Sequence, residues 1–259
     1  MTLRDEVAIV TGGGRGLGRA FALGLAREGA RVVVGSRTQS RLDQAVSEIS
    51  SIGGRALAVV VNLAEESSVQ NLVEETLKEF GRIDILVNNA GILAPFRNVV
   101  DMPTREWDLT QTINLRGTFL CCKSVLPHMI SRRKGKIINI GAGVSDERVH
   151  VGLSAYCASK AGVINFTRQL AAEVREFGIL VNCLDPGAVR TSMAEQLEAS
   201  DDTREWLLRQ QTVDPDAIRF RHTDEIVPLL LFLASEQSSA LNGRFLQVTS
   251  KGSPKYLQL

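Results

Sequence analysis

Seven short apolar runs, largely β-branched, recur along the chain: EVAIV (6–10), RVVVG (31–35), ALAVVV (56–61), IDILVN (83–88), GKIINI (135–140), ILVNCL (179–184) and RFLQVT (244–249). Within each, apolar positions are continuous instead of alternating with polar ones. A strand wetted on one face alternates, whereas a strand covered on both faces does not, so these runs predict a parallel sheet buried on both sides. Between them, apolar residues recur at helical spacing in Ala20 to Glu28, Arg41 to Ile52, Val69 to Phe80 and Ala161 to Phe177. Strands alternating with helices predict right-handed βαβ units and a doubly wound α/β fold, a seven-stranded sheet with helices on both faces. The longest polar interruption, Ser192 to His222, is expected to be an insertion over a site within a single domain spanning 1–259.

Composition narrows the partners. The chain has 259 residues, 44% of them apolar, enough for one large core. Its 30 basic and 29 acidic residues leave a net charge of +1, so no field draws it to nucleic acid or to an anionic membrane. The N-terminal MTLRDEVAIVTGG lacks the apolar core of a signal peptide, and no uncharged apolar run reaches the roughly 18 residues of a membrane span. A soluble, cytoplasmic protein is expected. Cys121, Cys122, Cys157 and Cys183 read as reduced core thiols, and the scattered His128, His150 and His222 lack metal-ligand spacing, so no metal site is expected.

The first run leads into TGGGRGLG, Thr11 to Gly18, which then opens a helix. Gly12, Gly16 and Gly18 let backbone approach a pyrophosphate at a helix N-terminus, whose free N–H groups favour an anion; Arg15 and Leu17 lie between them. The second run ends in GSRT, without the acidic residue that would accept from an adenosine ribose and repel a 2′-phosphate. Ser36 and Arg37 stand there instead, and with Arg15 they suit charge-assisted pairing to that phosphate. NADP is therefore expected over NAD, with NAD still possible.

Two further motifs follow: NNAG, Asn88 to Gly91, and YCASK, Tyr156 to Lys160. A free tyrosine titrates near about 10, but a lysine four residues on along a helix shares its face, and its ammonium favours the phenolate. Tyr156 can then exchange a proton with a substrate oxygen. With TGxxxGxG, INLRGTF around Asn114 and DPGAVRT from Asp185 to Thr191, the chain resembles the short-chain dehydrogenase/reductase family over nearly its whole length. The resemblance implies a Rossmann-like sheet and hydride transfer between NAD(P) and a carbonyl or alcohol substrate. It implies that Tyr156, Lys160 and Asn114 are catalytic, Lys160 also holding the nicotinamide ribose and Asn114 sustaining a water relay. It assigns Asn62 and Leu63 to the adenine, although Asp is more usual than Asn62. It assigns Asn89, Ala90 and Gly91 to the cofactor cleft, and Pro186, Gly187, Val189 and Thr191 to the nicotinamide amide. A homotetramer or homodimer joined through the helices holding Asn114 and Tyr156 is implied as well.

One position departs from the family. A serine that hydrogen-bonds the reacting oxygen usually stands some thirteen residues before the tyrosine, yet Gly141-Ala142-Gly143 offers no hydroxyl in either register. Ser145, a water or a backbone N–H is left to replace it, and a slow but real carbonyl reductase is the expectation. Two other readings stay open: a dinucleotide sensor or scaffold that has lost turnover, and reduction of an activated carbon–carbon double bond. The stretch 192–222 carries seven carboxylates, four arginines and Trp206, and is expected to be a substrate lid.

Overall fold

The computed structural model describes residues 2–93, 95–143, 151–191 and 220–248, together with the backbone of Pro254–Leu257. Its strands are β1 (Val7–Thr11), β2 (Arg31–Ser36), β3 (Arg55–Val60), β4 (Ile85–Asn88), β5 (Gly135–Ile140), β6 (Ile179–Asp185), β7 (Phe245–Val248) and β8 (Pro254–Leu257). They form one sheet in the order β3-β2-β1-β4-β5-β6-β7-β8. The seven expected strands are all present and parallel. The sheet adds an eighth, β8, which runs antiparallel to β7 with Pro254 opposite Val248 and Leu257 opposite Phe245.

The continuity of the apolar runs has a direct cause. Alternate residues of a strand point to opposite faces, and here both faces are covered. Ala8 and Val10 join Val32, Val34, Phe21, Leu25, Leu42 and Leu230 in one core. Val7 and Ile9 point the other way, into a second core with Val33, Leu72, Leu120, Met129 and Leu170. Each fully buried Leu, Ile or Phe contributes about 1.5–3 kcal/mol relative to exposure, so neither face tolerates a polar register.

The helices are α1 (Gly16–Arg27), α2 (Gln39–Ser51), α3 (Glu66–Phe80), α4 (Thr104–Gln111), α5 (Gly117–Arg132), α6 (Ser154–Glu173) and α7 (Val227–Ala234). A single π turn, Thr112–Arg116, joins α4 to α5. In α6 the helix begins at Ser154, seven residues before its apolar period becomes evident at Ala161, so Tyr156 and Lys160 both lie in its first turns. On either side of the β1–β4 pair the strand order runs in opposite directions. Loops leaving the C-terminal ends of these strands diverge there and leave a crevice.

Candidate active site

The crevice is a cleft of about 400 Å³. It is lined by Gly12, Arg15, Gly16, Leu17, Gly18, Ser36, Arg37, Leu63, Asn89, Ala90, Gly91, Tyr156, Lys160, Pro186, Gly187, Val189 and Thr191. The fold thus brings together all but two of the residues singled out from the sequence. Asn62 is one exception: its side chain donates to Glu65 Oε1 (2.6 Å) and accepts from the Ala64 N–H (3.2 Å), holding the turn before α3. Asn114 is the other, and it lies buried behind the wall.

The glycine turn is tight enough to exclude side chains. Gly12 has φ +67°, and a Cβ there would lie 2.9 Å from Asn89 Nδ2; a Cβ on Gly18 would collide with the Gly12 carbonyl. Thr11 ties this turn to the NNAG loop, its hydroxyl accepting from the N–H groups of Asn89 and Ala90, both at 3.1 Å. Asn89 Nδ2 returns a bond to the Thr11 carbonyl (3.0 Å). The result is a backbone-lined cradle at the N-terminus of α1, the geometry that receives a pyrophosphate.

At the far end of the cradle three arginines converge. Partial burial lowers the pKa of Arg15 below its usual value, and the positive charges of Arg41 and Arg37 lower it further. A Cβ on Gly14 would lie 3.1 Å from the Cβ of Arg41 and 3.3 Å from Ser36 Oγ, so Arg41 and Ser36 flank the same turn. None of these three guanidinium groups pairs with a carboxylate among the described residues. Arg41 was not evident from the sequence. It sits in the first turn of α2, four residues after Arg37, and reads as an ordinary solvated helix position until the β2–α2 turn folds it back over the loop.

Asn114 lies in the π turn and is 1% exposed. It brackets the chain beyond NNAG, its Oδ1 accepting from the Ile92 N–H (2.8 Å) and its Nδ2 donating to the Ile92 carbonyl (2.9 Å). Nδ2 also donates to Ser159 Oγ (3.0 Å), whose hydroxyl donates to the Tyr156 carbonyl (2.7 Å). This chain of bonds locks the start of α6 against the NNAG loop. Ser159, one residue before Lys160, carries this link from within the YCASK motif.

Lys160 is buried and donates to the Ile140 carbonyl at the end of β5 (2.7 Å), with its Nζ 5.8 Å from the centre of the Tyr156 ring. Burial lowers its pKa to about 8, against the opposing influence of Cys183 and Asp185. Tyr156 is half-buried. Burial pushes its phenol up, and Asp185 and then Cys157 push it further. The downward pull expected from Lys160 is not what sets the Tyr156 phenol here; the ammonium bonds the Ile140 carbonyl instead. The thiols of Cys121 and Cys183 are buried and pushed up to about 12, which suits packing and not nucleophilic chemistry.

Ala142 and Gly143 follow β5 without a hydroxyl, and Ser145 lies outside the described residues. So does most of the expected lid, 192–219. Its described end returns to the cleft, where Phe220 joins the lining and Arg221 pairs through its backbone with Ala188 and Arg190. The Arg221 guanidinium lies against Gly187, which has φ +65°.

The family model for short chain dehydrogenase matches residues 6–202. The chain belongs to the short-chain dehydrogenase/reductase family. It is 36% identical over 250 residues to a subunit of the (2S)-((R)-hydroxy(phenyl)methyl)succinyl-CoA dehydrogenase of Thauera aromatica, covering 96% of each chain. To the 3-oxoacyl-(acyl-carrier-protein) reductase of Escherichia coli it is 37% identical over 248 residues, covering 96% of this chain and 97% of that one. Among solved structures, a gluconate 5-dehydrogenase from Burkholderia cenocepacia in complex with NADP and tartrate superposes with a TM-score of 0.84 at 33% identity, covering 95% and 94% of the two chains. As a short-chain dehydrogenase/reductase it is placed among oxidoreductases that bind NAD(P). Its described residues include no helix long and apolar enough to cross a membrane.

Proposed function

We propose that this enzyme is an NADP-preferring oxidoreductase that interconverts a ketone and a secondary alcohol, with Tyr156 as the general acid and base. The observation that carries the reading is the continuity of one cleft, from three arginines without carboxylate partners among the described residues, along a backbone cradle, to the Tyr156/Lys160 pair. The cradle and the arginines fit a dinucleotide bearing a 2′-phosphate: glycines admit the pyrophosphate, and crowded like charges gain from an anion between them. When bound, the reduced cofactor supplies the hydride. Tyr156 donates its phenolic proton to the substrate oxygen, and Lys160 holds positive charge beside the phenolate that results. Asn114 and Ser159 fix where the phenol stands. Relatives acting on 3-oxoacyl groups and on gluconate favour a substrate whose carbonyl flanks a polar or acyl arm.

Cofactor preference tests the reading. Titration of protein fluorescence should show NADPH bound at least about tenfold more tightly than NADH, the equivalent of one modest charge-assisted contact of about 1.4 kcal/mol. Arg37→Ala and Arg41→Ala should each narrow the gap. Tighter binding of NADH by the unmodified protein would overturn the assignment.

The helices holding Asn114 and Tyr156 offer a contact between copies of the chain. Phe119 on α5 is 43% exposed and meets Phe166 of α6 edge to face, with ring centres 6.2 Å apart. Light scattering should return a multiple of the 28.2 kDa chain mass, and Phe119→Glu should bring it toward a single chain. A monomeric unmodified protein would refute the contact.

A further inference from the structure

The chemistry proposed above leaves unused a buried carboxylate beside the reacting pair. Asp185 ends β6 and is 1% exposed. Its Oδ1 accepts from the Gly187 N–H (2.8 Å), and its Oδ2 accepts from Gln247 Nε2 of β7 (2.8 Å). A Cβ on Gly143 would lie 2.9 Å from that same Oδ2, so the carboxylate rests against the segment leading from β5 toward α6. Sheet register sets Leu184 level with Ile140, whose carbonyl takes the Lys160 hydrogen bond. Asp185 therefore stands one residue beyond the level at which Lys160 is anchored.

Several of the groups around it lie among the described residues. Helix α6 contributes Tyr156, Cys157 and Lys160, β6 contributes Cys183, and β7 contributes the neutral Gln247, while Arg221 lies across Gly187. Burial raises both thiols, so they stay neutral near pH 7. Among these described neighbours, Asp185 is the negative charge, and two N–H donors stabilise it. It acts on both members of the pair in the same sense, since a nearby anion disfavours the phenolate and favours the ammonium. It raises Tyr156 after the larger effect of burial, and it opposes the lowering of Lys160.

We propose that Asp185 is a positioning residue for the acid–base pair: its charge keeps the proton on Tyr156 and Lys160, poising the site to donate a proton to a carbonyl. This rests on the oxidoreductase reading above. It also accounts for Gly143, since a residue without a side chain leaves the carboxylate its place. Removing the anion lowers the midpoint of each, since it favours the phenolate and disfavours the ammonium.

The test uses Asp185→Asn, which keeps an acceptor for the Gly187 N–H and discards the charge. The chain has two tyrosines, so in a Tyr256→Phe background carbon-13 labelling of tyrosine reports Tyr156 alone by NMR. With NADP⁺ bound, the Tyr156 midpoint should fall by at least about half a pH unit in Asp185→Asn, and the alkaline limb of ketone reduction should move down with it. Asp185→Ser serves in the same way should the Asn variant not fold. Gln247→Leu removes a donor but keeps the charge, and its midpoint should not fall. An unchanged midpoint in a folded Asp185 variant, or an equal fall in Gln247→Leu, overturns the proposal. A fall in the midpoint together with an unmodified protein that reduces no ketone upholds the electrostatics and sinks the oxidoreductase reading instead.

Discussion

Tyr156→Phe is expected to lower turnover of a ketone by roughly 10²-fold or more while leaving NADPH affinity nearly unchanged, because only the proton-transfer step loses its group. The ring remains, so the packing of the first turn of α6 survives, and the Ser159–Tyr156 bond uses the backbone carbonyl and not the phenol. Lys160→Ala should damage binding and turnover together. It deletes the bond to Ile140 and leaves that carbonyl without its partner at the end of β5. Steady-state kinetics with separately measured NADPH affinity distinguish the two patterns. Retained turnover in the Phe variant would place the acid elsewhere.

Ala142→Ser is expected to raise kcat on a reactive ketone by roughly tenfold or more. A pre-organised donor to the reacting oxygen is typically worth about 10² to 10³ in rate, about 3–4 kcal/mol, and a newly placed hydroxyl recovers part of that. The structure separates the two registers that the sequence leaves equivalent. At Gly143 an added Cβ would lie 2.9 Å from Asp185 Oδ2 and 3.2 Å from Gln247 Nε2, so Gly143→Ser must displace the hydrogen-bonded Asp185 and Gln247 side chains and should bring no gain. Ala142 is only half-buried. Assaying the two variants side by side reads the register directly. A gain in the Gly143 variant alone would reverse the assignment, and loss of activity in Ser145→Ala with no gain in either would make Ser145 the surrogate.

What the sequence revealed follows from where the physics is local. The seven parallel strands were legible because burial on both faces writes itself as unbroken apolar runs. Helix α7 was not, since VPLLLFLA is apolar all round and carries no polar stripe to set a period. Strand β8 was hidden for the opposite reason: Pro254 and Lys255 interrupt any strand pattern, and both are tolerated at a sheet edge. In the site, the glycine turn was legible from its spacing together with the strand before it and the helix after it. Arg41 and Asp185 were not, because their meaning depends on which elements the turns bring near them. Asn62 shows the converse. The family resemblance assigns it to the adenine, while its side chain bonds within the turn before α3.

Transfer of deuterium is the most direct measurement of the central claim. Unmodified enzyme, NADPH carrying deuterium at the transferable position and a panel of ketones should yield secondary alcohols labelled at the carbinol carbon. The same mixture with Tyr156→Phe should yield roughly a hundredfold less. Tight NADPH binding with no labelled alcohol from any ketone would contradict the account and leave a dinucleotide sensor in its place.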